Sequence, residues 1–199
     1  MAATRTDRPT VGVLALQGDF DAHRRRLEEL GAEATLVRKP EELDAVDALI
    51  IPGGESSTFL KLLERTGFLE KLRDFVRLKP TFGTCAGAIL LAREVSNPPQ
   101  PSLAALDVTV RRNAYGRQID SFIARADTSL PGGPLEAVFI RAPRFEDLGP
   151  AVEVLATERG EPVLIRQGHI LAATFHPELS PDTRVHQAFL DMAGNGRHR

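Results

Sequence analysis

Apolar and polar positions in this chain follow two periods in turn. Residues 11–16, 34–37, 48–51 and 80–83 are short and almost wholly apolar, as in strands covered on both faces. Between them the spacing is helical. Residues 21–30 form one such stretch and Gly31 ends it; 40–46 starts on a proline; 57–65 and 68–78 are amphipathic and part at Gly67. A run of small and aliphatic residues, 86–92, reads as a further helix. This βαβα rhythm predicts an α/β fold with a doubly wound, mostly parallel sheet flanked by helices. After a Pro-rich loop at 96–102 the pattern becomes strand-rich, with strands at 108–112, 118–125, 137–140, 152–157, 162–167 and 170–175. Gln167-Gly168-His169 is a hairpin turn in which His169 should be exposed, and 183–193 closes as a helix. The expected organisation is one domain over 10–194, a polar tail at 1–9 without an apolar leader segment, and a frayed end at 195–199.

The chemistry starts where the strand at 80–83 meets the helix at 86–92. Gly83-Thr84-Cys85-Ala86-Gly87 has the shape of a strand-to-helix elbow, with sulfur where a hydrolase carries a serine hydroxyl. Glycines on either side give a tight turn its room. A cysteine at a helix start also feels the positive end of the helix dipole, which favours thiolate. By itself the segment also fits a small buried cysteine. Ninety-one residues downstream stands Phe175-His176-Pro177-Glu178. Pro177 pushes His176 to an extended conformation, in which His176 and Glu178 share a side. Imidazole in front and carboxylate behind are the base and orienting group of a nucleophile–base–acid triad. The Ala86 backbone N–H and the Gly53-Gly54 loop are candidate oxyanion donors. The ends of the strands before Gln17, Gly53 and Cys85, together with His176, should converge beyond one edge of the sheet.

Composition narrows the partners. A net charge of −2 gives no general attraction to nucleic acid or anionic membrane. The Arg24-Arg25-Arg26 run reads as a solvated helix face. One cysteine excludes an internal disulfide and suits a cytoplasmic setting, and no apolar stretch reaches transmembrane length. There is no dinucleotide fingerprint and no Walker loop. His176 and Glu178 lack a further His or Cys at ligand spacing, so neither metal nor cofactor is expected.

The elbow and the late His-Pro-Glu resemble the class I glutamine amidotransferases, whose fold is flavodoxin-like. Val13-Leu14-Ala15-Leu16-Gln17-Gly18, Pro52-Gly53-Gly54-Glu55-Ser56-Ser57-Thr58, Arg112-Asn113-Ala114-Tyr115-Gly116-Arg117-Gln118 and Ile140-Arg141-Ala142-Pro143 are similar to one subfamily. That subfamily is the glutaminase subunits of two-subunit pyridoxal 5'-phosphate synthase. One departure is visible: Ala114-Tyr115 stands where that subfamily usually has Ser-Phe. The resemblance implies hydrolysis of L-glutamine to L-glutamate and ammonia by Cys85, His176 and Glu178 through a thioester. It places glutamine contacts at Gly54, Glu55, Ser56, Arg112, Ile140 and Arg141. Gln17 would support the oxyanion or the partner interface, and Arg117 is a lesser cationic candidate. Ammonia would pass to a pyridoxal 5'-phosphate synthase subunit in a large hetero-oligomer, since the chain is too short for a synthase domain of its own. The rival readings are the glutaminase subunit of imidazole glycerol phosphate synthase, which fits Gln17-Gly18 and 112–118 less well, and a non-catalytic regulatory subunit.

Overall fold

The structure, a computed structural model, describes residues 8–114 and 121–195; expectations for Tyr115, Arg117 and Gln118 lie outside the described residues. The chain begins with β1 (Thr10–Leu14), α1 (Phe20–Glu29), β2 (Glu33–Val37), a 3-10 turn over Pro40–Ala45, and β3 (Ala48–Ile51). Then come α2 (Ser56–Arg65), α3 (Phe68–Leu78), β4 (Thr81–Thr84) and α4 (Ala86–Leu91). The second half contributes β5 (Ala92–Ser96), β6 (Leu106–Arg111), β7 (Ser121–Thr128), β8 (Leu135–Ile140) and β9 (Arg144–Glu146). It ends with β10 (Glu153–Glu158), β11 (Glu161–Gln167), β12 (Ile170–Ala173), a 3-10 turn over Pro177–Leu179, and α5 (Arg184–Asn195).

Among the described residues, nine strands form the main sheet in the order β2-β1-β3-β4-β12-β11-β10-β7-β8. From β2 to β12 every pairing is parallel, a doubly wound arrangement with β12 in the fifth place. The strand-rich half then adds β11, β10, β7 and β8 antiparallel, so the whole sheet is mixed. Central strands are apolar on both faces because both faces are covered. Ala48 and Ile50 pack with Leu27 of α1 and Phe189 of α5, while Leu49 and Ile51 pack with Phe59 of α2 and Phe75 of α3. Among the described residues no helix is long and apolar enough to cross a membrane.

Several local features depart from the sequence expectation. The run at 86–92 is helical only to Leu91, because Ala92 turns extended (φ −58°, ψ 150°) and begins β5. With β6 and the three-residue β9 it makes a second small sheet, β5-β6-β9. Helix α5 runs through Gly194 to Asn195. His169 is not free in its turn: it is half-buried, and its imidazole Nε2 lies 2.9 Å from the Val76 carbonyl. That carbonyl is in the last turn of α3, where carbonyls lack helical partners, so His169 acts as a cap from outside the helix.

Candidate active site

Strand β4 delivers Cys85, and the backbone there is strained: φ +48°, ψ −104° in a residue with a side chain. The strain is held by bonds on both sides. Cys85 N–H donates to the Ala173 carbonyl at 2.9 Å, extending the β4–β12 ladder, and its own carbonyl accepts from Ile89 N–H at 3.1 Å to start α4. The flanking glycines work through close approach. A Cβ at position 87 would stand 2.0 Å from the Ile51 carbonyl oxygen, so α4 lies directly on the end of β3. The sulfur-bearing residue is buried at 6% exposure.

Strand β12 runs parallel to β4 with Ala173 beside Thr84, and the next residues bring His176 to Cys85. His176 N–H donates to the Val138 carbonyl at 2.8 Å. Beyond it the chain is not the extended segment that Pro177 suggests. Pro177–Leu179 is a 3-10 turn with His176 at its cap (φ −108°, ψ 85°). That turn still places both side chains together: His176 Nδ1–H donates to Glu178 Oε1 at 2.7 Å. The imidazole lies beside Cys85: a Cβ at Gly53 would stand 2.5 Å from His176 Cε1 and 3.3 Å from Cys85 Cβ. Burial disfavours charge on His176, but its neighbours Cys85 and Glu178 outweigh that and raise its pKa to about 10. Burial works against Glu178 as well, yet its two histidine neighbours, His23 and His176, hold it at about 2. Cys85, His176 and Glu178 thus form one buried array, with the imidazole between sulfur and carboxylate.

A cavity of about 170 Å³ opens onto Cys85 and His176. It is smaller than drug-sized pockets of about 300–1,000 Å³ and suits one small metabolite. All six residues expected to contact substrate line it: Gly54, Glu55, Ser56, Arg112, Ile140 and Arg141. Glu55 caps α2 by accepting from Ser57 and Thr58 N–H. Its carboxyl sits at about 2, because those bonds outweigh its partial burial. Arg112, just after β6, donates to Ser57 Oγ at 2.9 Å and approaches Glu55 Oε1 at 3.4 Å. Ile140 ends β8, and Arg141 follows at φ +42°.

The supporting candidates border this cavity. Gly53 allows its loop to touch the base, since a Cβ there would meet His176 Cε1 at 2.5 Å. Gln17 Nε2 donates to the Glu55 carbonyl at 3.1 Å and packs on Gly54, bracing the loop. Ala86, buried, is the first residue of α4 and so carries an N–H without a helical partner.

Sequence reasoning missed residues both in front of and behind the triad. Ile89, Asn113 and Pro143 also line the cavity. Behind Glu178, the expected solvated Arg24–Arg26 face proves divided: Arg26 is half-buried and its Nε donates to the Glu178 carbonyl at 3.3 Å. His23 and His186 are wholly buried there. One signal was available, since His23 falls four residues before Leu27 on the apolar stripe of α1.

A strained cysteine elbow on a doubly wound sheet, with His and Glu delivered beside it by the neighbouring strand, defines the fold and site of a class I glutamine amidotransferase. The chain belongs to the SNO glutamine amidotransferase family, whose profile matches residues 13–195. The pyridoxal 5'-phosphate synthase subunit PdxT of Koribacter versatilis is 66% identical over 186 residues, covering 94% of this chain and 96% of its own. The PdxT subunit of Deinococcus radiodurans is 53% identical over 191 residues, covering 93% and 97%. A crystal structure of a glutamine amidotransferase, 51% identical, superposes with a TM-score of 0.86 over 92% of this chain and 98% of that one. A chain of the PurLQS structure from Thermotoga maritima shares the fold at 16% identity, with a TM-score of 0.68 over 92% of this chain and 98% of that one.

Proposed function

We propose that this chain is the glutaminase subunit of a pyridoxal 5'-phosphate synthase. The observation that carries the chemistry is the buried Cys85–His176–Glu178 array opening onto a small cavity beside Arg112 and Arg141. His176 takes the thiol proton of Cys85, and the resulting thiolate attacks the δ-carbon of L-glutamine. The oxyanion meets the Ala86 N–H and the Gly53-Gly54 loop. His176 imidazolium gives its proton to the leaving nitrogen, ammonia departs, and a γ-glutamyl thioester remains on Cys85. Neutral His176 then takes a proton from water as it attacks, and L-glutamate leaves. Glu178 holds Nδ1–H throughout. An arginine is the fitting partner for the substrate α-carboxylate, and the ionised Glu55 for its α-ammonium. No step calls on a cofactor.

The names of the PdxT relatives support the reading that ammonia passes to a partner synthase chain. We place the two in a large hetero-oligomer in the cytoplasm. The test is glutamate release from glutamine by wild type and Cys85→Ala, each with and without a pyridoxal 5'-phosphate synthase subunit. The expected result is partner-stimulated release that vanishes in Cys85→Ala. Release indifferent to that subunit would point to another synthase, and no release would overturn the glutaminase reading.

A further inference from the structure

Glu178 has two carboxylate oxygens, and the triad uses one. Oε1 accepts from His176, while Oε2 is fully buried and without a hydrogen-bond partner among the described residues. A buried carboxylate oxygen left alone is costly. The polar group that faces it is Nε2 of His23, at 3.4 Å. The same Nε2 stands 3.2 Å from Thr84 Oγ1, on the residue preceding the nucleophile. The other ring nitrogen of His23, Nδ1, lies 2.9 Å from His186 Nε2 of α5.

These distances select a tautomer. A carboxylate only accepts, so the nitrogen facing it must carry the proton. His23 is then the Nε2–H form, and its Nδ1 accepts from His186 Nε2–H. The opposite assignment would aim an imidazole lone pair at the carboxylate. Complete burial pushes the pKa of His23 down despite Glu178, so the ring acts as a neutral donor. Burial and His23 likewise push His186 down to about 3. Three residues along α1 from His23, Arg26 holds the backbone carbonyl of Glu178. One helix face thus approaches the acid's carboxylate with His23 and holds its main chain with Arg26.

We propose that His23 is a positioning residue of the glutaminase, whose Nε2–H bridges Thr84 and Glu178 Oε2 and so fixes Glu178 Oε1 on His176. The role rests on the glutaminase reading given above. It makes α1 part of the catalytic machinery and links the acid to the nucleophile-bearing strand.

The test compares His23→Leu, which fills the space without a donor, with His23→Gln, whose amide NH₂ reaches the place of Nε2. Both are assayed for glutamate release with the synthase subunit present, beside wild type and Cys85→Ala. His23→Leu should lose about 10- to 100-fold in kcat, as for other groups that orient a catalytic residue, with little change in KM. His23→Gln should recover most of it. The acid limb of kcat/KM should move to higher pH in His23→Leu, because Glu178 loses a donor to its ionised form. The titratable and charged groups around Glu178 in that profile are His176 from its own turn, His23 and Arg26 from α1, His186 from α5, and Asp19 just before α1. Wild-type kcat in His23→Leu, or a Gln variant no better than Leu at equal thermal stability, would overturn the proposal. Nitrogen NMR of wild type tests it without activity. At about pH 8, above the ordinary histidine pKa, His23 should be the neutral Nε2–H tautomer; an Nδ1–H tautomer would overturn the proposal. Failure of wild type to exceed Cys85→Ala would sink the glutaminase reading instead, and the NMR result would still decide the tautomer.

Discussion

Cys85, His176 and Glu178 are 6%, 7% and 2% exposed, whereas the Glu55 side chain is 56% exposed and Arg141 is at the surface. The first group is tied into the main sheet: Cys85 to Ala173 and His176 to Val138, each through its backbone N–H. The second group comes from element ends. Glu55 caps a helix, Arg112 follows β6 of the small sheet, and Arg141 sits at positive φ beyond β8. The buried half fixes angles and charges, which govern the chemical step. The rim supplies charge and shape to a substrate held partly in water. Substitutions in the two regions should therefore separate in kinetics, kcat in one and KM in the other.

The largest effect belongs to the nucleophile. Cys85→Ala should lower kcat by at least about 10⁴-fold while leaving the fold intact, checked by glutamate release and circular dichroism. Glu178→Gln should cost about 10³- to 10⁴-fold, since the amide cannot stabilise the imidazolium. It should also change stability against pH. The native pKa of Glu178 is about 2 against an ordinary 4.5, so its contribution is present above 4.5 and is lost as pH falls toward 2. Thermal melts in that window should show a shallower slope for the Gln variant.

Gly53→Ala sharpens the border between the halves. Its methyl would meet His176 Cε1 at 2.5 Å, and a displacement near 1 Å can cost about 10²-fold, so kcat should fall more than KM rises. Steady-state kinetics that show only a KM change would move Gly53 to the rim. Arg112→Ala is the mildest: KM for glutamine should rise about tenfold with kcat within about twofold, the effect of one lost charge-assisted contact.

The same contrast explains what could be read from the chain. The elbow was legible because G-x-C-x-G is local, and the structure gives each glycine a close neighbour to accommodate. The His-Pro-Glu segment was legible for the proximity of its side chains, but not for its backbone. Pro177 argued for extension, whereas the chain turns into a 3-10 helix once the His176 N–H is taken by Val138. The parallel half of the sheet follows from its short apolar runs. Strands β5 and β9 do not, because three to five residues without periodicity become strands only through β6, their pairing partner. His23 meets His186 across 163 positions and His169 meets Val76 across 93, distances at which periodicity carries no information.

The most direct test of the central claim is covalent trapping by a glutamine analogue that carries a chloroketone in place of its side-chain amide, in the presence of the synthase subunit. Cys85 is the chain's one cysteine, so peptide mass spectrometry reads the site without ambiguity. The account predicts one label per chain, on Cys85, slowed by L-glutamine and absent in Cys85→Ala. Labelling elsewhere, or labelling of Cys85 that L-glutamine does not slow, would contradict it.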